Sequence, residues 1–352
     1  MNAKGKVLHV CSLDKFIPPF IDFVEEHFDD FATRHVFFIA ANHRLYNYKI
    51  RENTINCGNG YINQIVYLPR IALAMILADK IVLHNLFNPY KVILLTLMPW
   101  LLKKCYWVMW GGDLYVYQIG ERKWKWKLSE FFRRPVIRNI GYLVTGTPGD
   151  VELARRWYDA RGQHIRCFNY PSNVFEPAAY LEVKHHSGTK ILVGNSADPS
   201  NNHKEVLDKL KPYKGNDIKI FCPLSYGNQE YAAKVIDYGK SIFGEKFVPM
   251  TDFLERDKYL QFLQEIDVAI FNHKRQQAMG NILMLLGYGK KVFIRKESTL
   301  MGLFNSNGIA IFDSDIINID KLSQQLAESN RKIILDCFSE ESLVKSLQEW
   351  IS

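Results

Sequence analysis

At 352 residues the chain is long enough for two domains of ordinary size, and its 47% apolar and 23% charged content is that of a soluble globular protein. Its longest apolar run, residues 92–102 between Lys91 and Lys103, is too short to span a bilayer. The formal charge of +8 is uneven: residues 1–180 hold 23 Lys and Arg against 15 Asp and Glu, while residues 181–352 hold 22 of each. The two halves are therefore expected to meet different partners, and a basic first half could face a membrane, a nucleic acid or an anionic substrate.

No signal peptide is read ahead of the first strand, expected at residues 7–10. His9, Cys11, Ser12 and Asp14 follow along that strand and at its end. A helix at residues 21–28 and a strand at 35–39 come next. Further strands are expected at residues 65–68, 81–83, 106–109, 142–144 and 165–168, with helices at 70–78 and 90–102. Short apolar strands alternating with helices imply a mostly parallel, doubly wound α/β sheet.

His84-Asn85-Leu86-Phe87-Asn88-Pro89 lies at one strand end, and His84 is the first half's best-placed titratable group. A lone histidine can equally be a hydrogen-bonded core residue. Trp110-Gly111-Gly112-Asp113-Leu114-Tyr115 follows another strand. Its glycines permit a sharp turn that would carry Asp113 beyond the sheet edge, where a carboxylate could deprotonate an attacking hydroxyl. The alternative is that Asp113 caps the next turn.

Residues 121–138 carry seven cations against two carboxylates, with Trp124, Trp126, Phe131 and Phe132 interleaved. Lys123, Lys125, Lys127, Arg133 and Arg134 beside those rings suit an anionic membrane surface. Stacked nucleic-acid bases, or an exposed helix burying its aromatics, are the competing readings.

Pro171, Pro177 and the basic stretch ending at His186 interrupt the rhythm, so domains are expected at 1–175 and 190–335, with a linker at 176–189 and a terminal helix at 336–352. Strands then recur at 190–193, 218–221, 247–248, 268–271, 292–294 and 309–312. Helices are expected at 203–210, 229–243, 256–264, 280–286 and 321–328. Gly194-Asn195-Ser196 follows the first of these strands, where a phosphate or sugar would lie, and Asn201 or Asn202 could cap the helix at His203. Arg275-Gln276-Gln277-Ala278-Met279-Gly280-Asn281 joins an apolar strand to an apolar helix. A helix start favours phosphate, Gly280 admits close backbone approach, and Arg275 can hold two phosphate oxygens. The bland reading is that Arg275 and the glutamines solvate a loop. Asp313-Ser314-Asp315 has metal-motif spacing but a turn context, so no metal is expected. The six cysteines are scattered, which fits reduced thiols better than disulfides or zinc. No G-x-G-x-x-G or Walker loop occurs.

In order along the chain, His84-x-x-Phe87-Asn88-Pro89, Trp110 to Tyr115, Ile191 to Ser196, Ser200-Asn201-x-His203 and Arg275-Gln276-Gln277-x-x-Gly280 resemble the TDP-N-acetylfucosamine:lipid II N-acetylfucosaminyltransferase family, the 4-alpha-L-fucosyltransferases of enterobacterial common antigen synthesis. Gly112 departs from the family's alanine. The resemblance implies a GT-B glycosyltransferase, with two Rossmann-like domains facing an inter-domain cleft. It implies catalysis without a metal cofactor, at the cytoplasmic face of the bacterial inner membrane as a peripheral protein. The implied substrates are a dTDP-linked sugar and an undecaprenyl-diphosphate-linked acceptor, with no nucleic-acid partner. Arg275 would stabilise the leaving diphosphate. Gly194, Asn195, Ser196, His203, Gln276, Gln277, Gly280 and Asn281 would line the donor side. Asp113 or His84 would serve as base in an inverting reaction. Asn88 and Tyr115, with the basic-aromatic residues, would belong to the acceptor and membrane side. A GT-B nucleotide-sugar epimerase and a non-enzymatic basic binding protein are the alternatives.

Overall fold

Short apolar runs become strands here because helices cover both faces of each sheet, leaving no position along a strand that must be polar. The computed structural model describes residues 5–40, 48–58, 61–177 and 186–352. The chain divides into two compact units, Met1–Ser172 with Leu343–Ser352, and Asn173–Ser342. Residues 178–185, the middle of the expected linker, lie outside the described residues.

In the first unit the strands are β1 (Val7–Ser12), β2 (His35–Ala40), β3 (Thr54–Asn56), β4 (Lys80–His84), β5 (Cys105–Val108), β6 (Tyr142–Val144) and β7 (Gln163–Ile165). All pair in parallel, in the order β3-β2-β1-β4-β5-β6-β7. Helices α1 (Ile17–His27) and α2 (Phe31–Arg34) connect β1 to β2. Then α3 (Tyr61–Leu77), α4 (Pro89–Leu97), the pair α5 (Gly112–Ile119) and α6 (Trp124–Asn139), and α7 (Pro148–Tyr158) connect each later strand to the next. Because the sheet grows leftwards from β1 to β3 and rightwards from β4 to β7, right-handed crossovers put α1 and α2 on one face and α3 to α7 on the other.

Several expected boundaries shift, and two expectations change in kind or extent. Residues 65–68 are not a strand but part of α3. Their β-branched composition misleads, because the apolar run continues to Ile71 and Met75, which are buried one helical turn apart. The expected helix at 90–102 ends at Leu97, and Pro99 opens a 3₁₀ turn through Lys104.

In the second unit β8 (Thr189–Val193), β9 (Ile218–Pro223), β10 (Phe247–Met250), β11 (Val268–Phe271), β12 (Lys291–Ile294) and β13 (Phe312–Asp313) form a parallel sheet in the order β10-β9-β8-β11-β12-β13. Helices α8 (His203–Leu210), α9 (Gln229–Phe243), α10 (Arg256–Glu265), α11 (Met279–Gly287), α12 (Thr299–Ser306) and α13 (Gln324–Cys337) cover it. The last helix, α14 (Glu340–Ile351), returns the chain to the first unit. There Lys80 Nζ donates to Trp350 O and Ser352 O at 2.6 and 3.0 Å, and Trp350 stacks on Tyr106.

Candidate active site

In a sheet of this order, ligands bind outside the strand ends where the direction of winding reverses. In the second unit that point lies between β8 and β11. Gly194 leaves β8 with φ +71°, and a Cβ there would sit 2.5 Å from His203 Nε2 and 2.7 Å from Asn201 Oδ1. Glycine is therefore required by the floor beneath the loop. Asn201, fully buried, organises that floor: its Oδ1 accepts from Asn195 N at 3.0 Å and faces His273 Nε2 at 2.8 Å, while its amide donates to Asp198 O. Burial pushes His203 down to about 4 and His273 to about 3, so both imidazoles are neutral at pH 7.

Above this floor, side chains from both loops meet. Gln277 Nε2 donates to Asn195 Oδ1 at 3.0 Å, and Ser200 Oγ donates to Gln277 Oε1 at 2.9 Å. Arg275 Nη2 lies 3.4 Å from Asp198 Oδ2. Burial raises the Asp198 carboxyl, but its bonds to Ser200 and the Arg275 charge outweigh burial and hold it below the ordinary value. Ala278 then takes the left-handed conformation, φ +61°, and α11 begins with no side chain capping its amides. Asn281 donates to Tyr259 Oη at 3.0 Å. Arg275, Gln276, Gln277 and Gly280 are half-buried beside this helix start. An uncapped helix N-terminus with a guanidinium before it is a place for a phosphate.

Two donor-site expectations need correction. Ser196 and His203 are buried, Ser196 Oγ accepting from Asn201 and His203 Nδ1 facing Tyr231 Oη at 3.2 Å. They support the loop from below and do not line it. Asp313 and Asp315 form a turn: Asp313 accepts from Asp315 N, and Asp315 pairs with Lys209 at 2.7 Å.

At the equivalent point of the first unit, both expected bases are committed elsewhere. Asp113 is fully buried, and its two oxygens accept from Leu86 N, Trp107 Nε1, Trp110 N and Leu114 N at 2.7–3.1 Å. Four donors fill the capacity of a carboxylate, so Asp113 organises the Gly111 turn and takes no proton from a substrate. Burial raises its carboxyl, although Trp107 and Arg133 pull the other way.

His84 belongs to a buried chain. Trp110 Nε1 donates to Tyr170 Oη at 2.8 Å, and Tyr170 Oη contacts His84 Nδ1 at 2.8 Å. His84 Nε2 meets His9 Nδ1 at 3.1 Å, and His9 Nε2 meets His35 Nδ1 at 3.0 Å. Indole can only donate, so Tyr170 Oη accepts from Trp110, and each remaining contact pairs one donor with one acceptor between neutral rings. These three histidines are neutral, with burial pushing His84 to about 3, His35 to about 4 and His9 well below its usual value. His84 thus holds the Trp110 turn in place and has no free lone pair for catalysis.

The remaining first-unit expectations divide. Asn88 caps α4, accepting from Tyr90 N and Lys91 N, and Tyr115 is buried with its hydroxyl 3.2 Å from Asp150. Arg133 is buried against Glu130 and donates to Leu86 O and Asp113 O, so it ties α6 to the sheet and cannot face lipid. Trp126 is half-buried, donating to Val116 O beneath Arg122. Lys123 pairs with Glu121, and Arg134 lies over Tyr117 and Tyr158. Trp124, Lys125 and Lys127 are fully on the surface.

One group escaped the sequence reading. Lys91 is buried beside a cavity lined by Cys11, Cys57, Leu68, Ile71 and Leu94 at the carboxyl ends of β1 and β2. Its Nζ bonds Asn85 O at 3.4 Å and no carboxylate among the described residues, and burial lowers it to about 8. Its place one turn into an apolar helix carries no sequence signal.

Tandem parallel sheets of this winding, the second opening onto a half-buried arginine and amide cluster, are the GT-B fold. HepE from Anabaena, solved with UDP and glucose, shares the fold with a TM-score of 0.68 and 12% identity, over 98% of this chain and 99% of that one. Sucrose-phosphate synthase from Thermosynechococcus elongatus does so with 0.68 and 10% identity, over 98% of each chain. A glycosyltransferase from Rickettsia africae matches with 0.66 and 11% identity, over 99% of this chain and 98% of its own. The chain belongs to the 4-alpha-L-fucosyltransferase family, glycosyl transferase group 56, which it matches over residues 22–350.

Proposed function

We propose that this glycosyltransferase moves a dTDP-activated deoxyamino sugar, N-acetylfucosamine-like, onto an undecaprenyl-diphosphate-linked saccharide. It would act as a peripheral protein at the cytoplasmic face of the bacterial inner membrane, in surface polysaccharide synthesis of the enterobacterial common antigen type. The observation that carries the donor side is the uncapped start of α11 behind Arg275. HepE, of the same fold, was solved in complex with UDP and with UDP-glucose. Here Arg275 exchanges Asp198 for the diphosphate, and the α11 amides take the oxygens that gain charge as the sugar leaves. These groups supply the positive charge that a divalent ion would otherwise provide. Gln276, Gln277 and Asn195 bond diphosphate or sugar hydroxyls. Lys91, a buried ammonium with no carboxylate in hydrogen-bond contact among the described residues, is the first unit's candidate for the acceptor's anionic group.

Calorimetric titration with dTDP, UDP and GDP, with and without magnesium, tests this. Binding that prefers dTDP, ignores magnesium and weakens about 100-fold in Arg275→Ala is expected, a loss of about 3 kcal/mol for a charge-assisted contact. The Asp198 pair is partly exposed and contributes at most about 1 kcal/mol, so the variant stays folded. Undiminished binding by Arg275→Ala would reject the site.

A further inference from the structure

A surface helix needs one apolar stripe, and α3 has two. Ile71 and Met75 bury one stripe against the sheet, whereas Ile62, Ile65, Val66, Leu73, Ile76 and Leu77 are about half exposed or more, Ile62 reaching 78%. The neighbouring helices continue the feature. Leu97 at the end of α4 is 69% exposed, Trp100 follows it, and Trp124, Leu128 and Phe131 form an i, i+4, i+7 ridge on α6 with Phe131 at 71%. Helices α3, α4 and α6 lie side by side on one face of the first sheet, α4 packing against both others. Thirteen of the eighteen large apolar side chains exposed among the described residues fall between Ile62 and Phe131. Those of the second unit (Tyr226, Phe253, Ile316 and Leu326) are scattered over separate elements.

The charge of the same stretch is one-sided. Residues 61–139 hold twelve Lys and Arg against four Asp and Glu, which equals the chain's entire net charge of +8. Of the four acids, Asp113 and Glu130 are buried and Glu121 is paired with Lys123; of the twelve cations, Lys91 and Arg133 are buried, so ten remain to face solvent against two acids. An apolar plane rimmed by cations selects its partner. A second copy would bring like charge against like, and protein interfaces are depleted in lysine. Nucleic acid would engage the cations but leave the aliphatic side chains without a role. Anionic lipid satisfies both, with aliphatic groups below the headgroups, tryptophans at headgroup level and ammonium groups on phosphates. Among the described residues no helix is long and apolar enough to cross a membrane, so contact would be lateral.

We infer that the outer face of α3, α4 and α6 is a docking surface for an anionic bilayer, with α3 as the helix that embeds. The surface stands on exposure and charge alone; its purpose, presenting the enzyme to a lipid-linked acceptor, rests on the function proposed above.

The test is flotation of the full chain with vesicles of phosphatidylcholine alone and with one-third phosphatidylglycerol. Binding at least tenfold stronger to the anionic vesicles is expected. The triple variant Val66→Gln, Leu73→Gln, Leu77→Gln should weaken it tenfold or more while leaving dTDP affinity and tryptophan fluorescence unchanged. Lys125→Glu with Lys127→Glu should erase the preference for anionic lipid. Vesicle binding that the triple variant leaves intact, or no flotation at all, would overturn the proposal. So would a wild-type dimer that the triple variant converts to monomer, since that assigns the face to a second copy. Flotation and oligomeric state are read without nucleotide, so the docking surface and the donor site can fail separately.

Discussion

The helices α4 and α11 occupy the same place in the two units, each following the strand where the winding reverses, yet their starts are chemically opposite. Asn88 caps α4 with its own side chain and Pro89 occupies the first turn, so the amides there are spoken for. Before α11 stands Ala278 in a left-handed conformation, with nothing to offer the amides behind it. The surrounding side chains follow suit. The first unit spends Asp113 and His84 on internal bonds, while the second leaves Arg275, Gln276 and Gln277 half-buried at a loop. A shared fold therefore does not imply a shared site, and unspent hydrogen-bonding capacity tells the two apart.

The largest expected effect concerns the neutral histidines, three in the first unit (His9, His35, His84) and two in the second (His203, His273). All titrate well below their unfolded value of about 6.5, with the folded values of His35 and His203 at about 4 and those of His84 and His273 at about 3. As pH falls below about 6.5 the unfolded chain takes up protons that the folded one refuses, so stability falls, by up to about 1.4 kcal/mol per pH unit for each group. At pH 5 the three groups of the first unit cost about 6 kcal/mol and the two of the second about 4 kcal/mol, a large part of a domain's stability. All seven tryptophans lie in the first unit, so selectively excited tryptophan fluorescence reports on it alone while circular dichroism reports on both. Urea titrations between pH 7 and 5 should show the fluorescence midpoint falling faster than the dichroism midpoint. Coincident, pH-independent midpoints would mean that the histidines are not buried neutral.

A smaller effect separates the two carboxylates. Asp113→Asn sets an amide N–H₂ against a cage of four donors and should destabilise the first unit by about 3–5 kcal/mol. Asp198→Asn keeps the turn bond to Ser200 and loses a partly exposed pair, costing under about 1 kcal/mol. Thermal denaturation of both variants gives the comparison directly. Equal losses would mean that Asp113 is less enclosed than its four bonds indicate.

The architecture was legible in the sequence because parallel strands buried on both faces announce themselves as short continuous apolar runs. The loop from Arg275 to Asn281 was legible for the same reason, being a polar interruption between two such runs. Burial of polar groups was not legible. Nothing local distinguishes Asp113, enclosed by donors from Leu86 and Trp107, from a carboxylate open to substrate, because the enclosing groups come from other strands. His84 shows the same failing, since His9, His35 and Tyr170 reach it across β1, β2 and a later loop. In α6 the basic-aromatic pattern signalled a surface but could not reveal that Arg133 points inward. In α3 the β-branched run disguised a helix whose outer stripe is the most exposed apolar feature of its unit.

The smallest expected effect tests the helix starts themselves. Asparagine tolerates the left-handed conformation that Ala278 adopts, and its side chain can accept from backbone amides. Ala278→Asn should therefore relieve strain and cap α11, stabilising the second unit by about 0.5–1 kcal/mol. The same carboxamide would occupy amides that the diphosphate needs, so dTDP affinity should fall severalfold even as melting temperature rises. Asn88→Ala, the converse change in the first unit, should cost about 1 kcal/mol and leave dTDP affinity unaltered. A variant at position 278 that gains stability without losing affinity would show that the α11 amides do not hold the nucleotide, and Arg275 would then have to carry the anion alone.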